Sequence, residues 1–161
     1  MALVGGPVLG GDLRPVVVLE TTIDDMTAEQ MAFVRAQMLE AGALDVWLQP
    51  TGMKKGRSGW HLSLIARPEG EAELVSRLLR ETSTLGVRVR EERRYEARRE
   101  ERTVETPLGT ARVKVKRLAG EPAQFAPEFD DCARLAADQD RPIMEVFALV
   151  QRAAEEQLGR D

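Results

Sequence analysis

The chain has 161 residues, 43% of them hydrophobic and 31% charged, with a formal net charge of −4, which bounds it to one ordinary globular domain or one domain with a small appendage. No apolar run approaches the ~18 residues that a membrane-spanning helix needs, and the N-terminus lacks the basic start and apolar core of a signal peptide. Cys132 is the only cysteine, which excludes an intrachain disulfide, fits a reducing cytoplasm, and suggests a thiol packed as a small hydrophobe.

In chain order, residues 1–15, with GGPVLGGDLRP, read as a flexible leader. Val16 to Leu19 is a continuous apolar run, the pattern of a strand buried on both faces. The stretch LETTIDDMTAEQ, residues 19–30, then sets Glu20, Asp24 and Asp25 within six residues at the strand's end. Thr27 and Gln30 have the spacing of a capping box, and an acid near a helix start gains ~0.3–1 kcal/mol from the helix dipole. That accounts for one acid well and for three poorly. Clustered oxygens are also what a hard divalent cation requires, and at this point the two readings stay open.

A helix follows at 28–41, with Met31, Val34, Met38 and Ala41 on one stripe and Gly42 as the stop. Leu44, Val46 and Leu48 alternate with Asp45, Trp47 and Gln49 in a half-buried strand ending at Pro50. A strand at 60–67 alternates Leu62, Leu64 and Ala66, and a helix at 70–81 uses Leu74, Val75, Leu78 and Leu79. A long strand runs from Gly86, with Val87 and Val89 inward and Arg88 and Arg90 outward. The order β-α-β-β-α-β is that of the ferredoxin-like, split-βαβ sandwich, with both helices on one sheet face. The turn TPLGT, residues 106–110, joins strands 101–106 and 111–118 in a β-hairpin. Two helices close the chain, an acidic one at about 127–138 and one that starts near Pro142 and buries Ile143, Phe147, Val150 and Ala154. The expected organisation is therefore α+β: a leader at 1–15, a ferredoxin-like domain at 16–98, and a hairpin with helical appendage at 99–161.

Charge is segregated along this order. Residues 86–118 carry 11 basic and 6 acidic side chains between two acidic flanks. Such a segment suits an anion or its own flanks, and charge alone does not decide. The loop GMKKGRSG, residues 52–59, places Lys54, Lys55 and Arg57 among glycines. It is no Walker A motif, but glycines let backbone approach an anion and three cations can neutralise a polyphosphate. A solvated hairpin loop fits it equally well. ETSTLGVR, residues 81–88, offers the hydroxyls of Thr82, Ser83 and Thr84 and then Arg88, and reads more simply as a helix C-terminal turn. His61 is the only histidine, and on a strand it reads as a polar packing residue rather than a ligand or a catalytic base. An RNA-binding sheet stacks bases on aromatics of its central strands; the strand at 16–19 has none and that at 60–67 has only Trp60 at its edge, which argues against nucleic acid.

The blocks LETTIDDMTAEQ, GALDVWLQPTGMKKGRSG, ETSTLGVR and PEFDDC stand in the order and spacing of the C-terminal part of the LarC family, which this chain resembles over about residues 16–150. The resemblance implies a CTP-dependent cyclometallase that inserts nickel into a pyridinium bis-thiocarboxylic acid mononucleotide, building the pincer cofactor of lactate racemase. It further implies that this region binds CTP with Mn²⁺ or Mg²⁺, and that the full-length protein handles nickel. On that reading Asp24 and Asp25 ligate the metal, with Glu20 and Glu128 as weaker candidates, and Lys54, Lys55, Arg57 and Arg88 hold the CTP phosphates. Family members carry a further N-terminal region, so the chain reads as the C-terminal half alone, and a homotrimer or multiple of three is expected. The end of the first strand and the loop at 52–59 are expected at opposite ends of the sheet, so a neighbouring subunit would have to unite them. The competing class is a non-catalytic ferredoxin-like module that binds a nucleotide or small anion.

Overall fold

The computed structural model describes residues 11–159. Its elements are β1 (Asp12–Ile23), α1 (Ala28–Glu40), β2 (Asp45–Gly52), β3 (Ser58–Ala66), α2 (Glu71–Glu81), β4 (Arg88–Glu96), β5 (Arg98–Thr106), β6 (Gly109–Arg117), β7 (Gln124–Pro127), α3 (Phe129–Asp138) and α4 (Ile143–Leu158). They fall into two compact units: Arg14–Arg94, and Tyr95 onward together with the residues up to Leu13. No helix among the described residues is long and apolar enough to cross a membrane.

The first unit is a four-stranded sheet in the order β2-β3-β1-β4, so β1 and β3 are central as the element order requires. Strands β1 and β2 each pair antiparallel with β3. Val17, Leu19 and Ile23 of β1, Leu62, Leu64 and Ala66 of β3, and Val46 of β2 share one buried cluster with Met31, Val34 and Met38 of α1 and Leu74 and Leu78 of α2. Both helices therefore cover the same sheet face. Each such fully buried aliphatic contributes about 1.5–3 kcal/mol over its exposed state. Val16 and Val18, which alternation turns to the opposite face, are also buried, so the run at 16–19 is enclosed on both sides. Helix α1 starts at a complete capping box: Thr27 Oγ1 accepts from Gln30 N, and Gln30 Oε1 accepts from Thr27 N. It stops before Gly42, whose φ of +97° suits glycine.

Several details of this unit differ from the sequence expectation. Leu79 of α2, expected on the apolar stripe, is exposed because the core reaches only Leu74 and Leu78, with Val75 beside them. Strand β1 begins at Asp12, inside the expected leader; Pro15 is tolerated there because pairing with β3 starts only at Val17 opposite Ala66. Residues 1–10 of that leader lie outside the described residues. Strand β2 runs through Pro50 to Gly52, because β2 is an edge strand and one of its sides has no ladder to interrupt. Leu44 precedes β2 and is exposed. Val89 is exposed rather than inward: β4 is the opposite edge, and its residues from Arg88 to Tyr95 are all exposed.

The second unit holds a three-stranded sheet, β5-β6-β7. Thr106 pairs with Gly109 across the two-residue turn Pro107-Leu108, and Thr106 Oγ1 accepts from Leu108 N at 3.1 Å. The four-residue β7 was not expected. Helices α3 and α4 pack on this sheet through Cys132, Leu135, Val146, Val150 and Ala154, against Val104, Ala111 and Val113. Ile143 and Phe147 are only partly buried. Cys132 is fully enclosed, and burial pushes its thiol pKa up, with the Asp131 charge adding to the effect. It behaves as a small hydrophobe.

Candidate functional site

The register of the first sheet fixes what meets at its end. Ile23, the last residue of β1, lies opposite Trp60, and Gly52 of β2 lies opposite Ser58 of β3. An antiparallel β3 starts where β1 stops, so the loop that precedes β3 must lie at the end of β1. The expectation that the acids and the loop sit at opposite ends is thus overturned. One chain unites them.

Gly59 makes the approach possible. A Cβ there would stand 2.6 Å from the Ile23 carbonyl oxygen, closer than a side chain allows, and 3.3 Å from Asp24 Cα, a tight contact. The loop closes on itself through Met53 N donating to Arg57 O at 2.7 Å. Its tip, Lys54–Gly56, is one 3-10 turn in which Lys55 and Gly56 adopt left-handed φ values of 63° and 69°. Lys54 and Lys55 point from an exposed tip. Arg57 turns back, and its Nη1 donates to Asp24 Oδ2 at 3.1 Å. The Asp24 side chain is 20% exposed and that of Arg57 57%, so the acid belongs to the scaffold and the arginine to the loop.

Asp25 takes a different partner, accepting a short hydrogen bond from Ser83 Oγ in the α2–β4 connection. That connection is itself anchored. Thr82 Oγ1 donates to Leu78 O at 2.6 Å, and the buried Thr21 reaches Gly86 O at 3.0 Å and the Thr84 hydroxyl. Thr82 and Thr84 are therefore spent on backbone and packing, as a helix-end turn would have them. Ser83 is the hydroxyl of the three that faces the acids.

Glu20 belongs to another group. Four residues up the strand from Asp24, about 13 Å at the usual rise, it meets Arg90 Nη2 at 3.3 Å, His61 Nε2 at 3.5 Å and Arg88 Nε at 3.9 Å. Flanked by two guanidinium groups, it suits holding them better than ligating a metal. Arg88 is placed with it. Glu128 lies in the second unit at the N-cap of α3, paired with Lys114 Nζ at 2.7 Å. Nearby, the Arg112 side chain and backbone N–H both bond Asp131, holding its carboxyl below the usual aspartate range. Sequence reasoning missed the roles of Gly59, His61 and Arg90; a register prediction for β1 and β3 would have exposed the first two, and Arg90 needed the placement of β4 beside β1.

Among the described residues no group of three or more His, Cys, Asp or Glu side chains is placed to hold a metal ion. Asp24 and Asp25 offer two hard carboxylates at a rigid strand end. Such a pair fits Mg²⁺ or Mn²⁺ that brings water and phosphate oxygens with it, since Mg²⁺ typically uses one or two carboxylates plus substrate phosphates.

A family described as nickel insertion protein matches residues 10–147. The chain belongs to that family. It is 47% identical over 137 residues to a Roseiflexus castenholzii protein named for nickel insertion, covering 85% of this chain and 35% of that one. It is 39% identical over 138 residues to the pyridinium-3,5-bisthiocarboxylic acid mononucleotide nickel insertion protein of Acetivibrio thermocellus, covering 86% of this chain and 34% of the other. The chain thus spans about a third of the length of these curated relatives. In three dimensions it is similar to LarC2, the C-terminal domain of a cyclometallase involved in synthesis of the NPN cofactor of lactate racemase. The TM-score is 0.85 at 33% identity, covering 89% of this chain and 99% of that one. The ferredoxin-like unit, the extra sheet and the two terminal helices are shared with that domain fold.

Proposed function

We propose that this chain is the CTP- and divalent-metal-binding C-terminal part of a cytoplasmic nickel insertion protein that builds the nickel-pincer nucleotide cofactor. Membership of the nickel insertion family and the near-complete overlap with LarC2 support the pathway assignment. One observation carries the ligand assignment: Arg57 of the Lys-Lys-Gly-Arg loop touches Asp24 of the acid pair. A polyphosphate needs cations and a metal ion needs anionic oxygens, and this sheet end presents them side by side.

In the reaction, an oxygen of the pyridinium mononucleotide precursor attacks the α-phosphorus of CTP. The bond from that phosphorus to the bridging oxygen of the β-phosphate breaks, and pyrophosphate leaves with the electron pair. Asp24 and Asp25, the latter oriented by Ser83, would hold an Mg²⁺ or Mn²⁺ ion, which would supply charge neutralisation on the phosphates. Lys54, Lys55 and Arg57 bind the β- and γ-phosphate oxygens and stabilise the charge that grows on the leaving pyrophosphate. Arg88, steadied by Glu20, serves an anionic group further along the sheet. Nickel prefers nitrogen and sulfur donors; with one His and one Cys, this chain leaves nickel to the rest of the family protein and to the thiocarboxylates of the precursor. Assembly as a homotrimer or a multiple of three completes the proposal, and a monomer by light scattering at micromolar concentration would remove that part.

The test is a thermal-shift panel of the four nucleoside triphosphates with and without Mn²⁺, followed by analysis of products. CTP with Mn²⁺ is expected to raise the melting temperature most and, with water standing in for the absent precursor as the attacking oxygen, to yield CMP and pyrophosphate. Stabilisation without turnover would leave a nucleotide-binding module, and no stabilisation by any triphosphate would overturn the assignment.

A further inference from the structure

Each carboxylate of the acid pair already has a partner in the chain, Arg57 for Asp24 and Ser83 for Asp25. We infer that Arg57 is a latch that makes uptake of a divalent cation and a polyphosphate mutually dependent, so that the site takes them together and neither well alone. This rests on the metal–nucleotide reading above and adds the order in which its parts can fill.

The argument is electrostatic. A dication arriving by itself meets Asp24 already neutralised by a guanidinium at 3.1 Å, whose like charge opposes it at short range. A polyphosphate arriving by itself finds that same guanidinium engaged by a carboxylate that repels the phosphates. When the two arrive as one complex, Arg57 transfers to a phosphate oxygen and Asp24 is released to the cation. One internal ion pair is exchanged for two charge-assisted contacts. The coupling is reciprocal: whatever factor the anion adds to cation affinity, the cation adds to anion affinity.

Which partner moves is set by the fold. Asp24 follows directly on β1 and is backed by the Gly59 contact. Arg57 is more than half exposed, in a loop whose tip holds two consecutive left-handed residues. The arginine swings; the acid stays.

The experiment measures three affinities on the intact chain, on Arg57→Ala and on Arg57→Lys. Mn²⁺ alone is followed by loss of the free-ion electron paramagnetic resonance signal, and CTP in EDTA and the Mn²⁺–CTP complex by calorimetry. The parent should bind Mn²⁺–CTP at least about tenfold more tightly than either component, a coupling in the usual range. Arg57→Ala should bind Mn²⁺ alone roughly threefold to fivefold more tightly than the parent, the scale of one exposed ion pair, while losing affinity for Mn²⁺–CTP. Arg57→Lys, which keeps the charge, should stay near the parent in both. Adding Asp24→Asn to Arg57→Ala should cancel the gain for Mn²⁺. A parent that binds Mn²⁺–CTP while Arg57→Ala shows unchanged or weaker Mn²⁺ binding overturns the latch and leaves the site assignment standing. A parent that binds no Mn²⁺–CTP overturns the assignment, and the latch with it.

Discussion

Gly59→Ala isolates the backbone approach that assembles the site. The added methyl carbon would lie 2.5 Å from Met53 Sδ, 2.6 Å from Ile23 O and 3.3 Å from Asp24 Cα, whereas non-bonded carbon contacts are comfortable at ~3.5–4.0 Å. The thioether can rotate away. The carbonyl oxygen is part of the strand end and can yield only if β1 and β3 separate there. Forced overpacking of this kind costs about 1–3 kcal/mol, and at ~4–8 °C per kcal/mol for a unit of this size the melting temperature should fall by of order 10 °C. The separation also moves Asp24 away from Arg57, so Mn²⁺–CTP affinity should fall with it. Gly52→Ala is the matched control in the same hairpin, because a Cβ there meets nothing within 4 Å; it should melt within a degree or two of the parent, roughly ±0.5 kcal/mol. Differential scanning calorimetry of both variants, and of Gly59→Ala combined with Met53→Ala, decides the matter. The reasoning fails if Gly59→Ala melts with Gly52→Ala, or if removing the Met53 side chain restores parental stability, since the clash would then be with the thioether and not with the strand.

Lys54→Ala with Arg57→Ala should weaken CTP binding by roughly 2–4 kcal/mol, at ~1–2 kcal/mol per charge-assisted contact, with little change in the ligand-free melting temperature because exposed ion pairs contribute ~0–1 kcal/mol; unaltered affinity by calorimetry would return the loop to a solvated role. Asp24→Asn with Asp25→Asn should abolish Mn²⁺-dependent CTP binding, whereas Thr27→Ala should cost ~1 kcal/mol of stability by opening the capping box and leave binding intact; the opposite pattern would make the two acids structural. In the second unit, the side-chain hydrogen bond from Arg112, then its backbone N–H, lowers the Asp131 pKa. A depressed carboxyl contributes stability that is present above its unfolded value, about pH 4, and is lost as pH falls through the lower folded value. Asp131→Asn should therefore flatten the acid limb of an unfolding-midpoint profile below about pH 4 and lower stability at neutral pH; a profile that still falls as steeply as the parent's would show that other carboxylates govern it.

What could be read from the sequence was local. The stripe Met31, Val34, Met38 and the alternation Leu62, Leu64, Ala66 each report a period, and a period survives whatever the rest of the chain does. The capping box is contained in four residues. What could not be read depended on register or on position within the sheet. Val89 has the same alternation as a buried strand residue, and only its place on the edge strand exposes it. Pro50 looks like a strand end until β2 is known to lie at an edge. β7 is four residues long and carries no hairpin signal. Gly59 looks like any loop glycine, because the atom that forbids a side chain there, Ile23 O, comes from a distant strand. The Asp24–Arg57 pair spans 33 positions and follows from β1 and β3 being antiparallel neighbours, so that β3 begins at the end where β1 stops.

The three acids at the end of β1 turn out to have three separate electrostatic fates, and this bears on how the site can work. Glu20 is held among Arg88, Arg90 and His61, Asp24 by Arg57, and Asp25 by a neutral hydroxyl. A preformed triad of carboxylates would attract a bare dication and would repel a polyphosphate just as strongly. On the proposed reading, two carboxylates, one of them masked by the exposed Arg57 guanidinium, avoid that conflict: the site by itself is close to charge-balanced, and its full affinity would emerge only for a ligand that carries a metal and phosphate oxygens at once. The capping box sits one turn further on and is complete without either aspartate. The helix therefore does not need Asp24 or Asp25 for its start, which frees both to serve a ligand.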